Sequence, residues 1–356
     1  MSLDTVPDPG ISEIDPQLCL KIVTECLDHL FDLIKSDGKF VYAHKFQNVS
    51  EAYSGYNLLR HCGTVWFMCK AINRLSLELT PDRAKLLSAS VLYVLKKLRP
   101  PEWNAGIAPS LCLPSRKSVK IGGGALCLLM LNEYQQLFLS RKIESVELNP
   151  SLSLEIICTR LENYLRSEIR DGDFIHKRAR ETGEILPFRS EYYTGEVLFA
   201  LISRGRSSGP SAELLSGLID RDYGIAEQSH WMAYAASEAL RQNLPQKEKT
   251  LQYLDRLMAQ IIAESDYRQR QQSTPTACRT EALLAYLEVS QHMAGDRVKL
   301  REQSYQAVIE NLKLQLAFYG NGQFKRGKDS DKVQIDYIQH NGASFLGLAL
   351  LQSIDH

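Results

Sequence analysis

Apolar residues recur every three to four positions along most of the chain, and two kinds of helical text alternate. The stretches PQLCLKIVTECLDHLFDLIK (16–35), PDRAKLLSASVLYVLKKL (81–98), SLEIICTRLENYLRSEI (153–169), SAELLSGLI (211–219), QKEKTLQYLDRLMAQIIAE (246–264) and RVKLREQSYQAVIENLKLQL (297–316) mostly carry Lys, Arg or Glu between their apolar positions. That is the pattern of a helix with one solvated face. Between them lie stretches rich in Gly, Ala, Ser and Cys with few long charged side chains, at 56–72, 122–139, 192–204, 230–242, 275–291 and 336–352. A helix apolar nearly all round is a buried one. The strict alternation of outer and inner helix, six times over, predicts an all-α repeat of helix pairs across residues 15–356, preceded by an irregular segment at 1–14.

Strand-like text is limited to short pieces such as KFVYAH and DFIHK, each after a polar-Gly turn. The turn itself recurs: DGKF at 37–40, DGDF at 171–174 and NGQF at 321–324. Gly38, Gly172 and Gly322 are expected where an outer helix stops in a left-handed conformation, with the Phe two residues on as an anchor. The run GGG at 122–124 opens a helix without a preceding strand or a Walker lysine, and reads as close packing rather than an anion cradle.

Six helix pairs stack as an open solenoid or close into a ring. The last helix, YIQHNGASFLGLALL, is as apolar as the middle ones, so it is expected to pack on the first pair. With that closure the chain resembles, over residues 15–353, the (α/α)6-toroid proteins: the six-hairpin glycosidases and the N-acylglucosamine 2-epimerase family. The Cys and Cys-His motifs of lanthionine cyclases and the Asp-rich motifs of terpene cyclases are absent. The resemblance implies a central funnel at the N-termini of the inner helices, where the long outer-to-inner loops gather.

Polar side chains in the first turns of the inner helices are then the candidate chemistry. They are Arg60 and His61; Tyr192, Tyr193 and Glu196; His230, Trp231 and Tyr234; Arg279 and Glu281; and Asp336, Tyr337, His340 and Asn341. The 170–191 loop, expected as a partial lid, adds Arg189. Aromatic faces with Arg, Glu and His suit a sugar-like substrate. Two chemistries fit. An epimerase or isomerase would use His230 and His340, which titrate near neutrality. A glycoside hydrolase would use two carboxylates among Glu196, Glu281 and Asp336. The histidines tilt the reading to the first. Asp336, one turn before His340, is the expected orienting carboxylate. The alternative from another class is a non-catalytic helical-repeat scaffold. A metal-dependent reading would join His61, His230 and His340 with Glu196 or Glu281, but the spacing is not diagnostic and no metal or cofactor is assigned.

Composition narrows the setting. Lys plus Arg and Asp plus Glu are equal, at 42 each, without long runs of one sign. Neither a nucleic-acid stripe nor a polybasic membrane patch is expected. No apolar run approaches the roughly 20 residues that span a bilayer. The eight cysteines show no zinc spacing, several lie in apolar helical text, and the acidic, Pro-containing start is not a leader, so a reducing cytosol is expected.

Overall fold

Short polar caps followed by proline start several helices. Asp15 accepts a hydrogen bond from the Leu18 N–H and Thr80 from that of Arg83, with Pro16 and Pro81 next in the chain. The computed structural model describes residues 14–103, 108–141, 153–205, 209–291 and 296–354. The expected irregular segment lies outside these, Ile14 excepted.

Among the described residues the chain forms twelve α-helices, two for each expected pair. The outer ones are α1 (Pro16–Asp32), α3 (Pro81–Leu95), α5 (Leu154–Ser167), α7 (Pro210–Asp220), α9 (Lys247–Ala263) and α11 (Asp296–Leu316). The inner ones are α2 (Leu58–Arg74), α4 (Ile121–Arg141), α6 (Tyr193–Ser203), α8 (His230–Arg241), α10 (Ser273–Val289) and α12 (Ile335–Ile354). Burial follows the two kinds of text: every residue from 121 to 132 of α4 is buried, whereas α1 and α9 bury one stripe. The inner helices contact one another in a cycle: α2 on α4, α4 on α6, α6 on α8, α8 on α10, α10 on α12, and α12 back on α2. A small residue makes that last contact possible. A Cβ on Gly342 of α12 would stand 2.6 Å from Cζ of Phe67 on α2.

The strands are more extensive than the sequence suggests. β1 (Ala43–Lys45) and β2 (Asn48–Ala52) join β7 (Tyr319–Gly320), β8 (Gln323–Gly327) and β9 (Ser330–Gln334) in one sheet of order β2-β1-β9-β8-β7. Ala43 pairs with Gln334 and Lys45 with Lys332. Backbone hydrogen bonds therefore clamp the loop before the first inner helix to the loop before the last. Two further pairs join β3 (Ser118–Lys120) to β6 (Lys177–Ala179) and β4 (Ile169–Arg170) to β5 (Asp173–Phe174). Such short, polar strands leave no alternation to read.

Two of the three repeated turns are two-residue hairpin loops between strands. Asp171 and Gly172 link β4 to β5, Asn321 and Gly322 link β7 to β8, and all four have positive φ. Asn-Gly and Asp-Gly are the residues a two-residue hairpin loop of this hand selects. Gly38, φ +83°, lies in a longer turn closed by a single antiparallel bridge between Ile34 and Phe40, with the Lys35 N–H donating to the Lys39 carbonyl at 2.8 Å. Phe40, Phe174 and Phe324 are all buried anchors. The three glycines differ in their surroundings. A Cβ on Gly38 would overlap the Ala89 carbonyl and one on Gly322 the Glu25 carbonyl, whereas at Gly172 the nearest atom is on the Arg221 guanidinium at 3.6 Å. Urea unfolding should show Gly172→Ala costing about 1 kcal/mol, and Gly38→Ala and Gly322→Ala about 3 kcal/mol or more. A ranking with Gly172→Ala as the costliest would contradict this account.

Candidate active site

A cavity of about 270 Å³ opens among the N-terminal turns of the inner helices. Every inner helix or its approach contributes. α2 and its cap supply Asn57, Leu59, Arg60 and Gly63, and α4 supplies Leu126. Ser190, Tyr192, Tyr193 and Glu196 come from α6 and the loop before it, and His230 and Trp231 from α8. Thr274 and Cys278 belong to α10, and Asp336, Gln339 and His340 to α12. The helix N-termini also bring their partial positive charge to this end.

Local structure sets each group. Ser229 caps α8, accepting from the Met232 N–H at 3.3 Å, and so places His230 in the first helical turn. The His230 side chain is buried, with Nε2 unpartnered among the described groups. Burial, and then the charges of His340 and Arg279, push it well below the ordinary imidazole range, so it is neutral. His340 stands 5.5 Å away, ring centroid to ring centroid, nearly perpendicular. Its Nδ1 lies 2.7 Å from Glu281 Oε1 and 3.8 Å from Cys278 Sγ. Burial opposes a charge on this ring, but Cys278 and Glu281 outweigh it and hold His340 well above its ordinary value. Tyr234 donates to the other Glu281 oxygen at 2.6 Å, completing the carboxylate's partners. Two neighbouring histidines are thus pushed in opposite directions.

Glu196 is the third unusual group. It packs on the first turn of α4, where a Cβ on Gly122 would overlap its Oε2, so the glycine run makes room for a carboxyl. Burial pushes Glu196 up to about 8, with His340 only partly opposing, and Oε2 has no partner among the described groups. It is a neutral acid at pH 7. Arg60 and Asp336 form a polar wall on the other side, 3.1 Å apart. Tyr42 and Gln334 hold the pair: Arg60 donates to the Tyr42 hydroxyl at 2.9 Å, and Gln334 donates to Asp336 at 2.7 Å.

Of the residues singled out from sequence, Arg60, Tyr192, Tyr193, Glu196, His230, Trp231, Asp336 and His340 line this cavity. Glu281 and Tyr234 lie behind it and reach it through His340. Asp336 pairs with Arg60 rather than orienting His340; Glu281, two turns from the start of its helix, takes that place. His61 is fully buried elsewhere, between the Tyr56 hydroxyl at 2.6 Å and the Ser90 carbonyl at 3.0 Å. Arg279 turns away to Gln228 at 2.9 Å. Asn341 is buried and donates to the Tyr337 carbonyl, and the half-buried Tyr337 packs against the core. Arg189 binds Asp173 over a separate outer groove. The 170–191 loop is tied down rather than loose. His176 Nδ1 accepts from the Ser190 N–H, so Nε2 carries the proton and donates to Thr194. Of that loop only Ser190 lines the cavity.

Cys278 was missed as a site residue, because a cysteine in apolar helical text reads as a small hydrophobe. With His230, Glu281 and His340 it forms a group whose ligand atoms all lie within 4.8 Å of one another, of the types that bind zinc. The His340–Glu281 contact of 2.7 Å is nevertheless a hydrogen-bond length. Two tetrahedral ligands at about 2.0–2.1 Å from a shared ion stand about 3.3 Å apart. The geometry is that of a proton-sharing pair, and a metal would have to spread it.

No protein-family model matches the chain, and no curated protein matches it in sequence. Solved structures do. The Lin0763 protein from Listeria innocua aligns with a TM-score of 0.60 at 10% identity, over 95% of this chain and 98% of that one. The GH76 alpha-mannanase BT2949 from Bacteroides thetaiotaomicron aligns with a TM-score of 0.54 at 11% identity, over 98% and 99%. At such identities the likeness establishes a shared helical fold.

The neutral Glu196 makes a test on stability. Its folded value of about 8 lies above the ordinary 4.5. Between those values the folded state holds a proton that the unfolded state has lost, so this group's contribution to stability falls as pH rises through that window. Glu196→Gln removes the effect. The Tm of the variant relative to wild type should therefore climb from pH 5 to pH 8 and level off above. A constant difference would show that Glu196 ionises normally.

Proposed function

We propose that the protein is a carbohydrate-active enzyme, a single-domain (α/α)6 toroid over residues 15–356 that holds a sugar or sugar derivative in the funnel and acts on it by acid–base chemistry. The observation that carries the reading is geometric: His230 and His340 stand 5.5 Å apart at a cavity that also holds the buried Glu196, with Glu281 on His340 at 2.7 Å, and burial and neighbouring charge push the two imidazoles in opposite directions. Groups whose environments drive their protonation apart are the mark of acid and base roles. Tyr192 and Trp231 offer aromatic faces to a sugar ring, and Arg60 with Asp336 offers donors and acceptors to hydroxyls.

The arrangement supports an epimerase or isomerase best. His230 takes a proton from the carbon beside the carbonyl of an open-chain sugar, leaving the electron pair in an enediolate. Glu196 donates a hydrogen bond to the oxygen on which charge develops. His340 returns a proton to carbon, and solvent exchange resets the two imidazoles. Cytosolic work agrees with cysteines that are all free, and no helix among the described residues is long and apolar enough to cross a membrane.

Glycoside hydrolysis is the second reading. Glu196 as the protonated acid and Asp336 as the carboxylate both line the cavity, and an alpha-mannanase shares the fold. The two readings separate experimentally. Sugars and glycosides are screened in D2O by proton NMR. The epimerase reading expects loss of a C–H signal next to the carbonyl, with His230→Asn and His340→Asn each about 10²–10⁴-fold slower while still folded, His340→Asn at a lowered Tm because Glu281 loses its partner. Release of reducing ends that needs Glu196 and Asp336 but neither histidine would replace it with the hydrolase. Full turnover in a folded His340→Asn protein, with Glu196→Gln also active, would end both.

A further inference from the structure

Four aromatic side chains close the ring beneath the funnel. Trp66, Phe199, Trp231 and Tyr234 have centroids 5.3–6.2 Å apart. On the far side of this plug, towards the C-terminal ends of α2, α8, α10 and α12, lies a second cavity of about 260 Å³. Its walls are largely apolar, with Phe67, Leu284, Leu346 and Leu351 among them.

One cation stands in it without a direct ion pair, although Glu133 and Glu288 favour its charge through space. Lys70 Nζ lies 5.2 Å over the Trp66 ring and 5.4 Å over the Tyr234 ring. Among the described residues it makes no ion pair or hydrogen bond, and burial pushes it below its ordinary value. The other charges nearby do not neutralise it. Arg241 is held by Glu238 at 2.8 Å and Glu288 at 2.7 Å. Arg74 adds a second cation on the rim. Burial pushes Glu133 towards its neutral form, with Lys70 and Arg74 opposing in part. Cations on a last helical turn are commonly explained by the helix dipole, which suits Arg74 and Arg241. Lys70 sits a turn deeper, over two aromatic faces. A half-buried ammonium without a direct ion pair is costly, and aromatic faces repay only part of that cost.

We propose that this rear cavity binds an amphipathic monocarboxylate, with its carboxylate on Lys70 and a short aliphatic chain along the leucines. At roughly 30 Å³ for each water-sized group the cavity takes about nine non-hydrogen atoms, the size of a chain of six to eight carbons. Glu281 lines this cavity while its Oε1 holds His340, so the two sites are one side chain apart. The proposal does not rest on the sugar reading.

Isothermal titration calorimetry of the full chain with octanoate tests it, without any sugar present. Octanoate should bind wild type. Lys70→Met should weaken it about 10–100-fold, the worth of one charge-assisted contact, while Lys70→Arg and the funnel variant Arg60→Gln should retain it. Octylammonium should bind far more weakly than octanoate. The proposal is overturned if wild type gives no binding heat, if folded Lys70→Met binds octanoate as wild type does, if octylammonium binds equally, or if Arg60→Gln abolishes binding.

Discussion

The contact between His340 and Glu281 is the constraint on which the charge pattern of the cavity depends. It joins two adjacent inner helices in a place almost without water, where a lone charge of either sign would be costly. Made together, and with the Tyr234 hydroxyl on the second carboxylate oxygen, the pair is tolerable. Its consequences spread outwards. A charged His340 repels a second charge, which helps to keep His230 neutral at the cavity wall. It pulls on Glu196 too, but not enough to overcome burial.

Such a cluster requires inner helices that nearly touch. Glycines supply the approach where side chains must share space. Gly122 leaves room for the Glu196 carboxyl, and Gly342 lets α12 close on α2. The sheet adds a second closure at the same end, since β1 and β9 bring the loops before the first and last inner helices together. Packing and backbone pairing together hold Arg60 against Asp336, through Tyr42 beside β1 and Gln334 at the end of β9.

Helix order, the inner and outer character of each helix and the return of α12 to α2 were legible in the alternation of charged and small-apolar text, because burial dictates composition directly. The end of the ring expected to carry the site came from the resemblance to toroid proteins, with the long outer-to-inner loops following the same asymmetry. Partnerships were not legible. Which carboxylate meets His340 depends on the rotation of α10 about its axis, and one sequence holds no record of that angle. Thus Asp336, a turn from His340 in the chain, goes to Arg60, while Glu281 on another helix takes the histidine. His61 failed for the same reason: it shares a first turn with Arg60 but faces the outer layer. Cys278 was hidden by its ordinary surroundings. The short polar strands carry too few positions for a period to show.

The account stands or falls on two imidazoles held in opposite states. The most direct measurement is a nitrogen-15 NMR pH titration of the histidine side chains, assigned with His230→Asn and His340→Asn. The account predicts that His340 stays protonated well above pH 6.5 and that His230 stays neutral well below it. Both rings titrating together near pH 6.5, or a neutral His340 at pH 7, would contradict it.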